Sequence, residues 1–171
     1  LMSEEDIGIA FAKVLMSKTA LRRLQFFISD AFASGLVPTA SSWLRSNAFL
    51  EEFTLTTERG RCDQLHCDST YSLLLAMHGH NHLKSLNLSN INLNHHCTQK
   101  LLDIFECSNI LESFTFNPVC GSHESICVEI ANFLTASASL RHVNFTLENY
   151  GWNVDAGLSL ATYLRTTRIL R

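Results

Sequence analysis

Leu83-Lys84-Ser85-Leu86-Asn87-Leu88 spells in full a six-residue phrase, Leu-x-x-Leu-x-Leu, that recurs through the chain. The same spacing of apolar residues appears at Leu21-Arg-Arg-Leu24-Gln-Phe26 and Leu50-Glu-Glu-Phe53-Thr-Leu55. It returns at Leu111-Glu-Ser-Phe114-Thr-Phe116 and Leu140-Arg-His-Val143-Asn-Phe145, and a sixth copy opens at Leu170-Arg171. The steps between first leucines are 29, 33, 28, 29 and 30 residues. Self-similarity at a fixed period in this range marks a solenoid, in which each repeat is a supersecondary unit that buries its apolar face only by stacking on its neighbours.

The repeat extends upstream of the phrase. Six residues before each first leucine stands a large apolar residue: Leu15, Leu44, Met77, Phe105, Leu134 and Leu164. Ahead of it the apolar residues fall at helical spacing, as in Ile126, Ile130, Phe133 and Leu134, and again in Ile7, Phe11, Val14 and Leu15. Leu101, Leu102 and Phe105 continue the pattern in the fourth unit, and Leu160, Tyr163 and Leu164 in the last. Asp68, Asn94 and Asp155 are of the type that caps a helix N-terminus, and Pro38 suits a first helical turn. Each unit therefore reads as helix, short turn, strand and longer return loop. Parallel strands joined by helical crossovers predict an α/β solenoid of about five to six repeats, a horseshoe with a parallel sheet on the concave side and helices on the convex side.

These phrases resemble the leucine-rich-repeat superfamily in its long, ribonuclease-inhibitor-like class. The resemblance covers essentially the whole chain. Segments such as IANFLTASASLRHVNF and GIAFAKVLMSKTALRRLQFF are similar to repeats of tropomodulins, of receptors with NOD-like architecture and of Ran GTPase-activating proteins. One departure stands out. The family often places asparagine nine positions into the phrase, where this chain has Ser29, Glu58, Ile91, Val119 and Glu148. Without that ladder the return loops are expected to be irregular, as they are in tropomodulin-type repeats.

Composition narrows the function. An apolar fraction of 46% is ample for a continuous core, and only two prolines and seven glycines argue against a linker or low-complexity segment. The net charge of −3 gives no basic face for nucleic acid. No apolar run approaches the roughly 20 residues that span a bilayer, and no signal peptide is visible. The six cysteines lack the close, regular spacing of a secreted disulfide scaffold and are expected to be reduced thiols in a cytoplasmic protein. The sequons at Asn87 and Asn144 fall inside strands, a poor place for a glycan. The chain starts within a helical approach and ends within a strand phrase, neither with a polar capping unit. Residues 1–171 are thus expected to be a single leucine-rich-repeat domain excerpted from a longer protein.

Side chains alternate across a strand, so the non-leucine positions of the phrase face the open side, and in-register strands align them in columns. The second position gives Arg22, Glu51, Lys84, Glu112 and Arg141, alternating in sign. The third gives Arg23, Glu52, Ser85, Ser113 and His142, and the fifth Gln25, Thr54, Asn87, Thr115 and Asn144. Opposite charges on neighbouring strands satisfy a sheet surface at little net gain. They also form a polar recognition surface of mixed sign, without an aromatic anchor in these columns. Arg22, Arg23, Glu51, Glu52, Lys84, Asn87, Glu112, Arg141 and His142 are the expected partner-binding residues.

Chemistry-bearing residues gather where return loops are expected to stack: Cys62, His66 and Cys67, then His95, His96 and Cys97, then Cys120 and His123. Zinc needs four such ligands, but no Cys-x-x-Cys pair occurs, and buried structural cysteines are the simpler reading. His78, His80 and His82 are expected as surface residues at a helix end, where a cation suits the dipole. The third unit is longest, with its extra length between Thr57 and Cys67. The resemblance to Ran GTPase-activating proteins gives Arg59 and Arg61 in that loop a conceivable role in stabilising phosphoryl-transfer charge, against the simpler reading of a solvated loop. No nucleophile elbow or phosphate-binding glycine loop is present. The expectation is a non-catalytic protein–protein interaction module with a protein partner, no metal, no cofactor and no small-molecule substrate. The alternatives are a tropomodulin-like actin filament cap and a GTPase activator.

Overall fold

A computed structural model of the chain describes residues 10–11, 13–18, 20–28, 36–57, 64–91, 93–118, 124–136, 139–145, 157–158 and 161–162. Within them, strands and helices alternate: β1 (Arg23–Ile28), α1 (Val37–Ser46), β2 (Glu52–Thr57), α2 (Gln64–Met77), β3 (Ser85–Ile91), α3 (His95–Cys107), β4 (Ser113–Pro118), α4 (Glu124–Ala136) and β5 (His142–Phe145). The strands form one open parallel sheet in the order β1-β2-β3-β4-β5. Each helix from α2 onward packs on the one before it. Every described strand begins at the third position of its phrase, and the phrases align residue for residue. Leu24, Phe53, Leu86, Phe114 and Val143 are successive partners, as are Phe26, Leu55, Leu88, Phe116 and Phe145.

The repeat is this regular because its leucine positions have one destination. The three apolar positions of all five phrases lie in the core or pack against it. The residue six places upstream joins them: Leu15, Leu44, Met77, Phe105 and Leu134 are all buried. In β2 the buried residues alternate strictly with half-exposed ones, as a sheet covered on one face requires. Towards the C-terminal repeats the core becomes aromatic. Phe105 of α3 meets Phe114 of β4 edge-on at 4.7 Å between ring centres and stacks on Phe133 of α4 at 4.3 Å.

The helix signals are partly met. Asn94 caps α3, its side chain accepting from the Cys97 backbone N–H at 2.9 Å, and Pro38 lies in the first turn of α1. Asp68 does not cap α2: that helix begins at Gln64, so part of the extra length of the third unit is helix rather than loop. Val14 leaves the expected apolar stripe at 60% exposure, whereas Phe11, 39% exposed, still meets the buried Phe26 edge-on at 6.5 Å between ring centres. Successive helical residues point about 100° apart, so with Leu15 turned inward its neighbour Val14 turns out. Asp155, Leu160, Tyr163 and Leu164 lie outside the described residues.

Asparagine at the ninth position is replaced by polar contacts elsewhere. On the return-loop side Asn90, one place earlier in the phrase, adopts a φ of +57°, a conformation that asparagine tolerates better than most residues. Its carbonyl accepts from the Thr57 hydroxyl and its side-chain oxygen from Asn117 Nδ2 at 3.4 Å, tying three strands together. On the opposite edge, three residues before the first leucine, stand Asn47, His80 and Ser108. Each donates to a carbonyl of the preceding repeat: Asn47 Nδ2 to Leu21 O at 3.0 Å, His80 Nε2 to Leu44 O at 2.8 Å and Ser108 Oγ to Leu83 O at 3.1 Å.

Candidate functional site

The parallel register places the charged second and third positions of the phrases side by side on the open, concave face of the sheet. Successive second positions are bridged by backbone as well. Glu51 N–H donates to Arg22 O, Lys84 N–H to Glu51 O, Glu112 N–H to Lys84 O and Arg141 N–H to Glu112 O, each at 2.8 Å. Side-chain pairing follows this path only half-way. Glu51 takes Arg22 Nη1 on one carboxylate oxygen at 3.0 Å and Lys84 Nζ on the other at 3.1 Å. In the next column Arg23 Nε meets Glu52 at 3.0 Å. The hydrogen bond from Lys84, aided by the charges of Lys84, Arg22 and Arg23 and opposed by partial desolvation, holds the Glu51 carboxyl below its usual range.

Beyond Lys84 the charge ladder stops. Glu112, Arg141 and His142 are exposed, and among the described residues none of them makes an ion pair within 4.0 Å. Strict alternation predicts pairing along all five strands; the structure closes it over the first three. Asn87 is half-buried in β3, where its Oδ1 accepts from Ser89 Oγ at 2.7 Å. The face therefore has a self-neutralised side on β1–β3 and a side on β4–β5 whose charges are left to solvent.

An aromatic residue also lies on this face, in a column that the six-residue phrase does not reach. Phe27 is the seventh position of the first unit, aligned with Thr56, Ser89 and Asn117, and is 55% exposed. It alternates with Arg23 and Gln25 along β1 and so shares their face. Extending the strand pattern by one more alternation is the sequence signal that finds it.

Among the described residues, those considered for metal chemistry form no group of three or more possible ligands. His66 and Cys67 belong to α2, which starts earlier than the loop reading allows, and His95, His96 and Cys97 form the first turn of α3, directly after its Asn94 cap, rather than a return loop. Cys97 is a buried free thiol that donates to Cys67 O at 3.4 Å, and burial pushes its pKa up to about 12. Such a thiol is a packing group rather than a nucleophile. His80 is not a surface cation. It is half-buried, and desolvation, reinforced by nearby His82 and opposed by the bond to Leu44 O, lowers its pKa. His78 and His82 are exposed. Arg59, Arg61, Cys62, Cys120 and His123 lie outside the described residues. Among the described residues no helix is long and apolar enough to cross a membrane.

Helix–strand units in parallel register, with leucine positions inward and polar columns outward, make a fold of the leucine-rich-repeat solenoid type. Solved domains share this fold. The actin-binding site 2 (ABS2) of leiomodin-1 superimposes with a TM-score of 0.58 at 18% identity, over 98% of this chain and 94% of that one. The tropomodulin C-terminal domain of Caenorhabditis elegans gives a TM-score of 0.56 at 12% identity, over 90% of this chain and 91% of that one. No protein-family model and no curated protein matches the chain.

Proposed function

We propose that the chain is a non-catalytic protein-recognition module whose binding surface is the concave face of the sheet, and that actin is its partner. The observation that carries the surface is the broken charge ladder. Glu112, Arg141 and His142 present charge and hydrogen-bonding capacity that no described side chain consumes, whereas Arg22, Glu51 and Lys84 are largely satisfied internally. Groups of the first kind steer and fix the register of a partner. Phe27 adds, at the β1 side, the sort of exposed aromatic that anchors interfaces. Arg23, Glu52 and Asn87 contribute the polar ground between.

Actin enters through the fold. The leiomodin-1 domain with which this chain shares its architecture over nearly its whole length is an actin-binding site. An actin partner also fits the cytoplasmic setting expected from the cysteine usage. A filament-capping role is the narrower form of this reading. It is tested by pointed-end elongation of pyrene-labelled actin, which the native chain slows in a dose-dependent way if it caps. Unaltered elongation at saturating concentration removes the capping role, and absence of co-sedimentation with actin removes actin itself.

A further inference from the structure

A second surface lies away from the concave columns, at the edge where helices turn into strands. Between the C-terminal ends of α1 and α2 opens a groove of about 290 Å³, lined in part by Arg45, His78, His80, Asn81 and His82. This is just below the roughly 300 Å³ at which small-molecule pockets begin, and suits one side chain better than a cofactor. None of the described residues lining it carries a carboxylate. Arg45 is exposed and makes no ion pair among the described residues.

The simplest role for Arg45 is to complement the negative end of α1. That end is already provided for. Trp43 O accepts from Asn47 N–H at 2.9 Å and Ser46 Oγ at 2.9 Å, while Leu44 O accepts from Asn47 N–H at 3.2 Å and His80 Nε2 at 2.8 Å. The guanidinium is thus left for the groove. Asp103 of α3 is close enough to His78 for their charges to interact, and its carboxylate is held by Lys100 Nζ at 2.6 Å. Phe49, which follows the groove-lining Ala48 in the chain, is 57% exposed.

We propose that this groove binds a carboxylate side chain of a protein partner, with an apolar neighbour of that side chain seated on Phe49. Arg45 offers the charged fork, exposed His82 and the Asn81 amide offer further donors, His78 lines the groove with its Nε2 3.8 Å from Cys107 Sγ, and His80, committed to Leu44 O, forms the floor. Planar, multi-donor recognition of a carboxylate is what an arginine fork is suited to. The proposal rests on the protein-recognition reading only in taking a protein segment as ligand, and concave-face variants leave the groove intact, so the two fail separately.

The test is a titration of the full chain with the peptide acetyl-Glu-Phe-Glu-amide, read by the imidazole NMR signals of His78 and His82. Saturable shifts are expected, absent with acetyl-Gln-Phe-Gln-amide. Affinity should weaken by about tenfold or more in Arg45→Ala, the loss of a charge-assisted contact, and recover in part in Arg45→Lys. His82→Gln serves as a second variant, since its side chain is exposed and its loss leaves the fold intact. No saturable shift with the Glu peptide, equal binding of the Gln peptide, or undiminished binding by the variants would each overturn the proposal.

Discussion

Asn47 is 1% exposed, which for so polar a side chain is explicable only by full use of its amide. Its Nδ2 donates to Leu21 O at 3.0 Å and its Oδ1 accepts from the Phe49 N–H at 2.8 Å, so one residue closes its own turn and ties it to the preceding repeat. Asn47→Ala strands both partners and should destabilise the chain by about 1–3 kcal/mol, more than Ser108→Ala, which loses a single bond. Urea unfolding of the two variants checks the order. His80 holds the same place in its repeat and adds a titration. Burial depresses its folded pKa below the ordinary 6.5, so the unfolded chain takes up the proton first as pH falls. Its contribution to stability is complete above about 6.5 and is lost as pH falls through the folded value. His80→Gln should therefore flatten the decline in stability between about pH 7 and pH 5 relative to the native chain. Unchanged slopes in pH-dependent thermal unfolding would refute this.

At the scale of the element, the strand phrase was almost wholly legible. Leu50, Phe53 and Leu55 predict buried positions and Glu51, Glu52 and Thr54 exposed or half-exposed ones, and the strand from Glu52 obeys them. It was legible because a strand has period two and one buried face, so each apolar letter has a single meaning. Helices were read less well. Asp68 is an N-cap type, but a helix start depends on where the preceding chain arrives, and α2 begins four residues earlier. The edge ladder of Asn47, His80 and Ser108 escaped notice because three chemically different residues do the same task and no single letter repeats. Within the elements, Phe114 is the tightest joint. It is fully buried, touching Phe105 of α3 and lying near Phe116 and Phe145 in the sheet. Phe114→Ala should cost about 3–5 kcal/mol, since three rings cannot collapse into the space left. Phe114→Leu should cost clearly less, and equal losses would mean that the aromatic stack does not organise this end of the core.

For the whole molecule, stacked repeats make a sheet whose covered face is mostly leucine and phenylalanine, with Ile91 and Val143 among them, and whose open face is free to vary. The columns of Arg22, Glu51, Lys84, Glu112 and Arg141 were legible as columns; the point at which they stop pairing was not. Side-chain pairing depends on rotamer and reach rather than on register, and the sequence records only register. The proposed function rests on that break, on Phe27 and on the fold shared with the leiomodin-1 actin-binding site. Exposed ion pairs contribute little to stability, so reversing them should leave the solenoid folded while altering its surface. The most direct test is co-sedimentation with filamentous actin of the native chain beside the Glu51→Lys, Lys84→Glu, Glu112→Lys variant, once circular dichroism shows equal folding. The account predicts saturable binding by the native chain and binding weakened by about tenfold or more in the variant, as expected when interface charges are made repulsive. Equal binding by both would place actin recognition off the concave face, and no binding by the native chain would contradict actin as the partner.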